Sequence, residues 1–214
     1  MLRDSKSPPQ KPSRLAVAFA RAVSLLLGKF LFRLKFHNIS NIPAENGEGL
    51  IIVANHQTYL DPFFICAPIR RNLRFMAWDE AFRWRISGIA LRALGAFPVS
   101  LKRGGTLRAM LTSIEVLNDG GTLMIFPEGS REFSSGDLLP FKTGAARLAI
   151  EAKVPVLPVT IRGGNRVWSQ DHKFPRLGKI EIFYHPVYYP EPGSSGQDQA
   201  KKITEILRKI IASA

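Results

Sequence analysis

The residue types best suited to chemistry fall in three short clusters. In the first, Asn55-His56-Gln57-Thr58-Tyr59-Leu60-Asp61 sets an imidazole and a carboxylate five positions apart, near enough across a turn to pair. A carboxylate on one ring nitrogen fixes the tautomer and stabilises the imidazolium as it forms, and the other nitrogen is left to take a hydroxyl proton. That is two-thirds of a serine protease relay, with the hydroxyl supplied by a substrate. Each residue also has a plainer reading. Asp61 followed by Pro62 has the form of a helix N-cap with Pro at the first helical position, and a histidine at a strand end is often only a hydrogen-bonding residue.

The second cluster is Phe126-Pro127-Glu128-Gly129-Ser130-Arg131, and it follows an apolar run. Arg131 suits a phosphate or carboxylate because its planar fork makes two charge-assisted hydrogen bonds at once. Glu128 could accept from a substrate hydroxyl or simply pair with Arg131. The third cluster, Gly95-Ala96-Phe97-Pro98-Val99-Ser100-Leu101-Lys102-Arg103-Gly104, brings two cations to a glycine-marked helix start, where free backbone amides favour anions. Residues 70–108 hold nine Lys or Arg against two acids. For most of these a solvated basic face is the plainer reading.

Short β-rich runs must carry these clusters. Strands are expected at 50–54, 73–77, 96–100, 122–126, 156–161 and 180–184. Helical patterns alternate with them, at 79–94 behind a possible Asp79 cap, at 106–118 before two glycines, and at the C-terminus, where Ile203, Ile206, Leu207, Ile210 and Ile211 share one face. Loops fall at 37–49, 128–140, 163–178 and 190–197. The alternation implies an α/β fold with a mixed, mostly parallel sheet flanked by helices. In that class the carboxyl ends of strands are where ligand sites form, which is where the first two clusters fall.

The chain has 214 residues, 45% of them hydrophobic, enough for one sizeable core. The formal net charge of +13 calls for an anionic partner: membrane, phosphorylated substrate, acidic carrier protein or nucleic acid. Residues 1–36 alone carry eight Lys or Arg against one acid. Within them, the 18 residues 15–32 make about 27 Å of helix, close to a bilayer core of roughly 30 Å, but Arg21 and Lys29 argue against spanning. Each charge costs roughly 2.5–3.5 kcal/mol at the bilayer centre, whereas at an anionic surface each gains about 1 kcal/mol. The segment therefore reads as an amphipathic helix lying in the interface, with Arg14, Arg21 and Lys35 on one stripe. The alternative is an ordinary terminal helix packed on the core. A cleaved signal peptide fits less well, because charge interrupts the apolar run. The expected division is a disordered leader at 1–12, a membrane-associating helical segment at 13–36 and one catalytic domain at 37–214. Cys66 is the single cysteine, so an internal disulfide and a thiolate cluster are excluded, and its apolar neighbours mark it as inert core.

In this order and spacing the clusters resemble the lysophosphatidate (1-acylglycerol-3-phosphate) acyltransferases. His-x4-Asp is similar to that family's first motif, the 95–103 stretch to its second, Phe-Pro-Glu-Gly-Ser-Arg to its third and Val154-Pro155-Val156-Leu157-Pro158-Val159 to its fourth. The resemblance covers about residues 50–162. It implies transfer of a fatty acyl group from a thioester, acyl-coenzyme A or acyl carrier protein, to a lysophospholipid hydroxyl, without a metal or bound cofactor. His56 would be the general base and Asp61 its partner. Glu128 and Gly129 would position substrate, and Arg131 with Lys102 or Arg103, the latter preferred, would bind phosphate. The fourth motif would shape the acyl channel. Two departures stand out: Ser130 replaces the commoner Thr, and the cations after Val99 lie farther along than usual. The implied location is the cytoplasmic face of the cell membrane, peripheral or monotopic. Another acceptor such as lyso-ornithine lipid is the nearer alternative. A basic nucleic-acid-binding protein is the more distant one, and no helix-turn-helix, RNP or zinc signature supports it. A serine hydrolase would need a Gly-x-Ser-x-Gly elbow, which the chain lacks.

Overall fold

The computed structural model describes residues 11–99, 105–132, 135–168, 173–191 and 196–214. Among them are seven strands: β1 (Lys35–His37), β2 (Leu50–Ala54), β3 (Leu73–Trp78), β4 (Ala96–Val99), β5 (Thr122–Ile125), β6 (Val156–Arg162) and β7 (Glu181–Tyr184). They form one sheet in the order β1-β7-β6-β2-β5-β3-β4. Pairing is parallel throughout except between β6 and β7. Strands β2 to β6 therefore point one way, and their carboxyl ends share one rim.

β2 lies between β5 and β6, and all five of its residues are buried to 0% exposure. A central parallel strand covered on both faces needs such an unbroken apolar run. Alternation then divides it: Leu50, Ile52 and Ala54 join one core layer with Phe64, Ile65 and Tyr184, while Ile51 and Val53 join the other with Leu117, Leu148 and Leu207. Helices α1 (Arg14–Phe32) and α2 (Asp61–Cys66) cover the first face. The second is covered by α4 (Gly105–Asn118), α5 (Gly144–Ala152) and α7 (Gln197–Ala212). α3 (Arg85–Ala93) lies against β4, and the single turn α6 (Gly164–Val167) follows β6.

The strands expected from sequence are present with ends shifted by one residue or so, Ser100 lying outside the described residues. The helix expected over 79–94 is divided into a 3-10 turn, Asp79–Phe82, and α3. Trp84 is extended (φ −74°, ψ 130°), and the Ser87 hydroxyl donates to Ala81 O at 2.8 Å, which stabilises the break. α5 lacks a strong apolar stripe in sequence. Its Ala145, Ala146 and Ala149 are buried, so small side chains let it sit close to the sheet.

The helical segment expected over 13–36 ends earlier, at Phe32. Arg33 is left-handed (φ 42°), Leu34 N–H returns to Gly28 O at 2.9 Å, and Lys35–His37 then pairs with β7. Gly28 permits this return, since a Cβ there would meet Leu34 Cδ2 at 2.5 Å. The basic stripe also differs from expectation. Lys35 belongs to the sheet, and Arg21 Nη2 turns inward to donate to Ile69 O at 2.5 Å. What α1 presents outward is largely apolar: Leu15, Phe19, Leu26 and Phe30 are 84%, 73%, 59% and 70% exposed. By length and composition α1 is apolar enough to cross a membrane. Of the expected leader, residues 1–10 lie outside the described residues. Lys11 pairs with Asp119 at 3.7 Å and Ser13 N–H bonds Ala93 O at 2.8 Å, so the approach to α1 is tied to the body.

Candidate active site

The loop after β2 is fastened before and after the residue it presents. Asn55 extends the ladder with its side chain: Nδ2 donates to Ile161 O at 2.9 Å and Oδ1 accepts from Ile161 N at 2.8 Å. Two residues on, Gln57 Oε1 accepts from Gly164 N at 2.9 Å, tying the same loop to the turn after β6. His56 lies between these anchors. Its carbonyl accepts from Glu132 N at 2.8 Å and its N–H donates to Glu128 Oε1 at 3.3 Å, so the loop after β5 holds its backbone as well.

His56 Nδ1 and Asp61 Oδ2 are 2.8 Å apart. Asp61 is 0% exposed and accepts three further hydrogen bonds, from Gln57 N at 2.6 Å, Thr58 N at 2.8 Å and Thr58 Oγ1 at 2.6 Å. With its oxygens used as acceptors, the carboxylate takes the Nδ1 proton in hydrogen bonding and leaves the Nε2 lone pair available. The helix-cap reading of Asp61 is not what the structure contains. Asp61 begins α2, but its carboxylate turns back to amides upstream, and the N-cap, Leu60, makes no side-chain capping bond. The imidazole stacks on Phe126, centroids 3.8 Å apart at 14°, and keeps 14% of its side-chain surface open. Ring stacking and the Asp61 bond together leave little freedom of rotation.

Glu128 is only 4% exposed, and its Oε1 faces the His56 backbone N–H. Its Oε2 is buried without a hydrogen-bond partner among the described residues. Burial raises this carboxyl to about 7; the His56 and Leu139 N–H groups oppose the shift, while the Glu132 and Asp61 carboxylates add to it. Gly129 is left-handed (φ +69°), and a Cβ there would lie 2.5 Å from Lys142 Nζ. A side chain at 129 would thus meet both backbone strain and the lysine head. Arg131 lays its guanidinium over Tyr59, 3.8 Å from the ring centroid, and Tyr59 in turn contacts the Trp168 ring at 5.5 Å.

Of the residues singled out in the sequence, the fold brings His56, Asp61, Glu128, Gly129 and Arg131 to one rim. Lys102 and Arg103 lie outside the described residues. The fourth motif does not line a channel: Val156, Leu157 and Val159 are 0% exposed in β6, divided between the two core layers. An apolar groove lies elsewhere, between α1, α2 and β3, lined by Val17, Ala20, Phe63, Cys66, Leu73 and Phe75. Burial pushes the Cys66 thiol far up, in keeping with an inert core residue. Tyr59, Lys142 and Trp168 were not singled out in the sequence. Tyr59 sits within the first motif, but its contact with Arg131 is made across 72 residues, so no local pattern reveals it. Among the described residues no group of three or more His, Cys, Asp or Glu could hold a metal ion.

A family model described as Acyltransferase matches residues 33–162. The chain is 37% identical over 143 residues to a 1-acyl-sn-glycerol-3-phosphate acyltransferase of Streptococcus pneumoniae, covering 66% of this chain and 52% of that one. It is 30% identical over 130 residues to the Bacillus subtilis protein of the same name, covering 60% and 62%. The crystal structure of the 1-acyl-sn-glycerophosphate (LPA) acyltransferase PlsC from Thermotoga maritima superposes with a TM-score of 0.76 at 26% identity, covering 92% of this chain and 78% of that one. The chain spans about half the length of several of the curated relatives it matches.

Proposed function

Because the chain belongs to the acyltransferase family, we propose that it moves a fatty acyl group from a thioester to the free hydroxyl of a lysophospholipid, 1-acylglycerol-3-phosphate giving phosphatidate. The observation that carries this reading is the His56–Asp61 contact of 2.8 Å at the carboxyl end of β2, beside Arg131 on the loop after β5. In the proposed reaction His56 Nε2 takes the acceptor hydroxyl proton as the oxygen attacks the thioester carbonyl. The tetrahedral intermediate collapses with cleavage of the carbon–sulfur bond, and the imidazolium returns its proton to the departing thiolate. Asp61 keeps the ring in the required tautomer and stabilises its charge. No side chain becomes acylated in this scheme.

Arg131 would hold the acceptor phosphate through its planar fork. Glu128, turned toward the His56 backbone, would fix the base in place, and Gly129 would leave room beside it. The amides of His56 and Gly129 do not serve the oxyanion in the conformation described: the first donates to Glu128 and the second to Phe126 O at 3.1 Å. The groove between α1 and α2 begins at Pro62 and Phe63, directly after Asp61, and its apolar lining suits a fatty chain.

We further propose that α1 attaches the protein to the cytoplasmic face of the cell membrane, where its exposed Phe and Leu side chains enter the interface and the +13 charge favours anionic lipid. The donor would be acyl-coenzyme A or acyl carrier protein, both anionic. Incubating the purified chain with mixed lysolipids and each donor, followed by mass spectrometry, tests the reading. Phosphatidate formed from lysophosphatidate is the expected product; acylation of lyso-ornithine lipid alone would replace the acceptor, and no acyl transfer with either donor would overturn the proposal.

A further inference from the structure

We infer that Tyr59 positions the acceptor's anionic head group by holding Arg131, an inference that rests on the functional reading above. The Arg131 Cζ lies 3.8 Å from the Tyr59 ring centroid, close enough for the guanidinium to stack on the aromatic face. The Tyr59 ring is braced in turn by Trp168, with centroids 5.5 Å apart at 55°. Arg131 and Tyr59 arise from the loops after β5 and β2 and Trp168 from the C-terminal end of α6, so the stack joins the loop carrying His56 to the loop carrying the phosphate-binding cation.

Tyr59 is 54% exposed, whereas its neighbours Thr58 and Asp61 are 0% exposed. Core packing is therefore not what this ring contributes. With its Cζ 3.8 Å from the ring centroid, the guanidinium is held against the Tyr59 ring, and a planar fork fixed in place suits bidentate recognition of an anion. A long side chain that is already ordered also loses less rotamer freedom when the anion arrives. Both effects strengthen acceptor binding, while the distance between His56 and Asp61 is unaffected. Tyr59 is thus a positioning residue whose signature is a change in KM with kcat preserved.

The test uses the full chain with a water-soluble, short-chain lysophosphatidate and acyl-coenzyme A or acyl carrier protein, whichever supports transfer. Tyr59→Leu is expected to raise the acceptor KM about tenfold, the order of the cost of immobilising one rotamer-rich side chain on binding, with kcat within about twofold and a Tm lowered by no more than a few degrees. Tyr59→Phe, which keeps the ring, is expected to restore the wild-type KM. Arg131→Ala should raise KM further, and adding Tyr59→Leu to it should change nothing more, because the two residues act through one contact. Additive effects in the double variant, an equal loss in Tyr59→Phe, or a fall in kcat without a change in KM would overturn the inference. A wild-type chain that does not acylate lysophosphatidate overturns the functional reading and this inference with it. An active wild type with an unaltered KM in Tyr59→Leu overturns this inference alone.

Discussion

Four donors converge on the Asp61 carboxylate: His56 Nδ1, the Gln57 and Thr58 amides and the Thr58 hydroxyl, all within 2.8 Å. An amide in its place would present an N–H2 group to donors, so Asp61→Asn both leaves donors unmatched and favours the wrong tautomer of His56. We predict a loss in kcat of about 10³-fold or more and a Tm lowered by several degrees, from the cost of about 1–3 kcal/mol for an unmatched buried polar group. Steady-state rates and melting curves on one preparation check both. Glu128 gives a second prediction at this scale. Its value of about 7 exceeds the ordinary 4.5, so between those two pH values the native state holds a proton that the unfolded chain has released. Stability therefore falls as pH rises through that window and levels off above it. Glu128→Gln stays neutral, and its Tm should gain on wild type from about pH 4.5 to about 7; a difference that is constant across the window would contradict the assignment. His56, Asp61 and Arg131 were legible in the sequence as an ordered set of motifs and not from residue type alone, since each by itself has a plainer reading; the fold brings the three to one rim. The inward turn of Glu128 and the stack on Tyr59 were not legible, since both are decided by neighbours more than 70 positions away.

α1 is held by a narrow face, Ser24, Gly28 and Phe32, while Phe19 and Phe30 stand 73% and 70% exposed. Full burial of a phenyl side chain is worth roughly 1.5–3 kcal/mol. The double variant Phe19→Ser/Phe30→Ser should therefore bind anionic vesicles roughly 100-fold more weakly, read by co-sedimentation, with kcat on a short-chain soluble acceptor preserved. Undiminished vesicle binding would remove α1 from the membrane contact. Among the elements, β2 could be read to the residue, because a central parallel strand is an unbroken apolar run. β1 could not: three residues at a sheet edge carry no periodicity, and their pairing with β7 depends on the left-handed turn at Arg33. The break before α3 was hidden for a similar reason, since Trp84 and Ser87 decide it through backbone geometry and not through the apolar pattern.

The sheet order brings together what the chain separates. β2 pairs with β5 through Val53 and Ile125 and with β6 through Ala54 and Val159, so residues following three distant strands meet around His56. The α/β class followed from alternating elements, whereas strand order is a property of the assembled molecule, and the expected channel in the fourth motif failed on that ground: β6 turned out to be interior. The net charge of +13 also belongs to the whole molecule. Vesicle affinity should fall when salt is raised from 0.1 to 0.5 M, as surface attraction is screened, yet keep a residue due to apolar insertion; salt-independent binding would exclude the electrostatic part. The central claim is that the imidazole of His56 draws the proton from the acceptor hydroxyl. Its most direct test is the rate of phosphatidate formation by His56→Ala, followed by mass spectrometry, with circular dichroism recorded on the same sample. The account predicts a fall of about 10²- to 10⁴-fold in kcat with the wild-type spectrum retained, and near-normal turnover by the folded variant would contradict it.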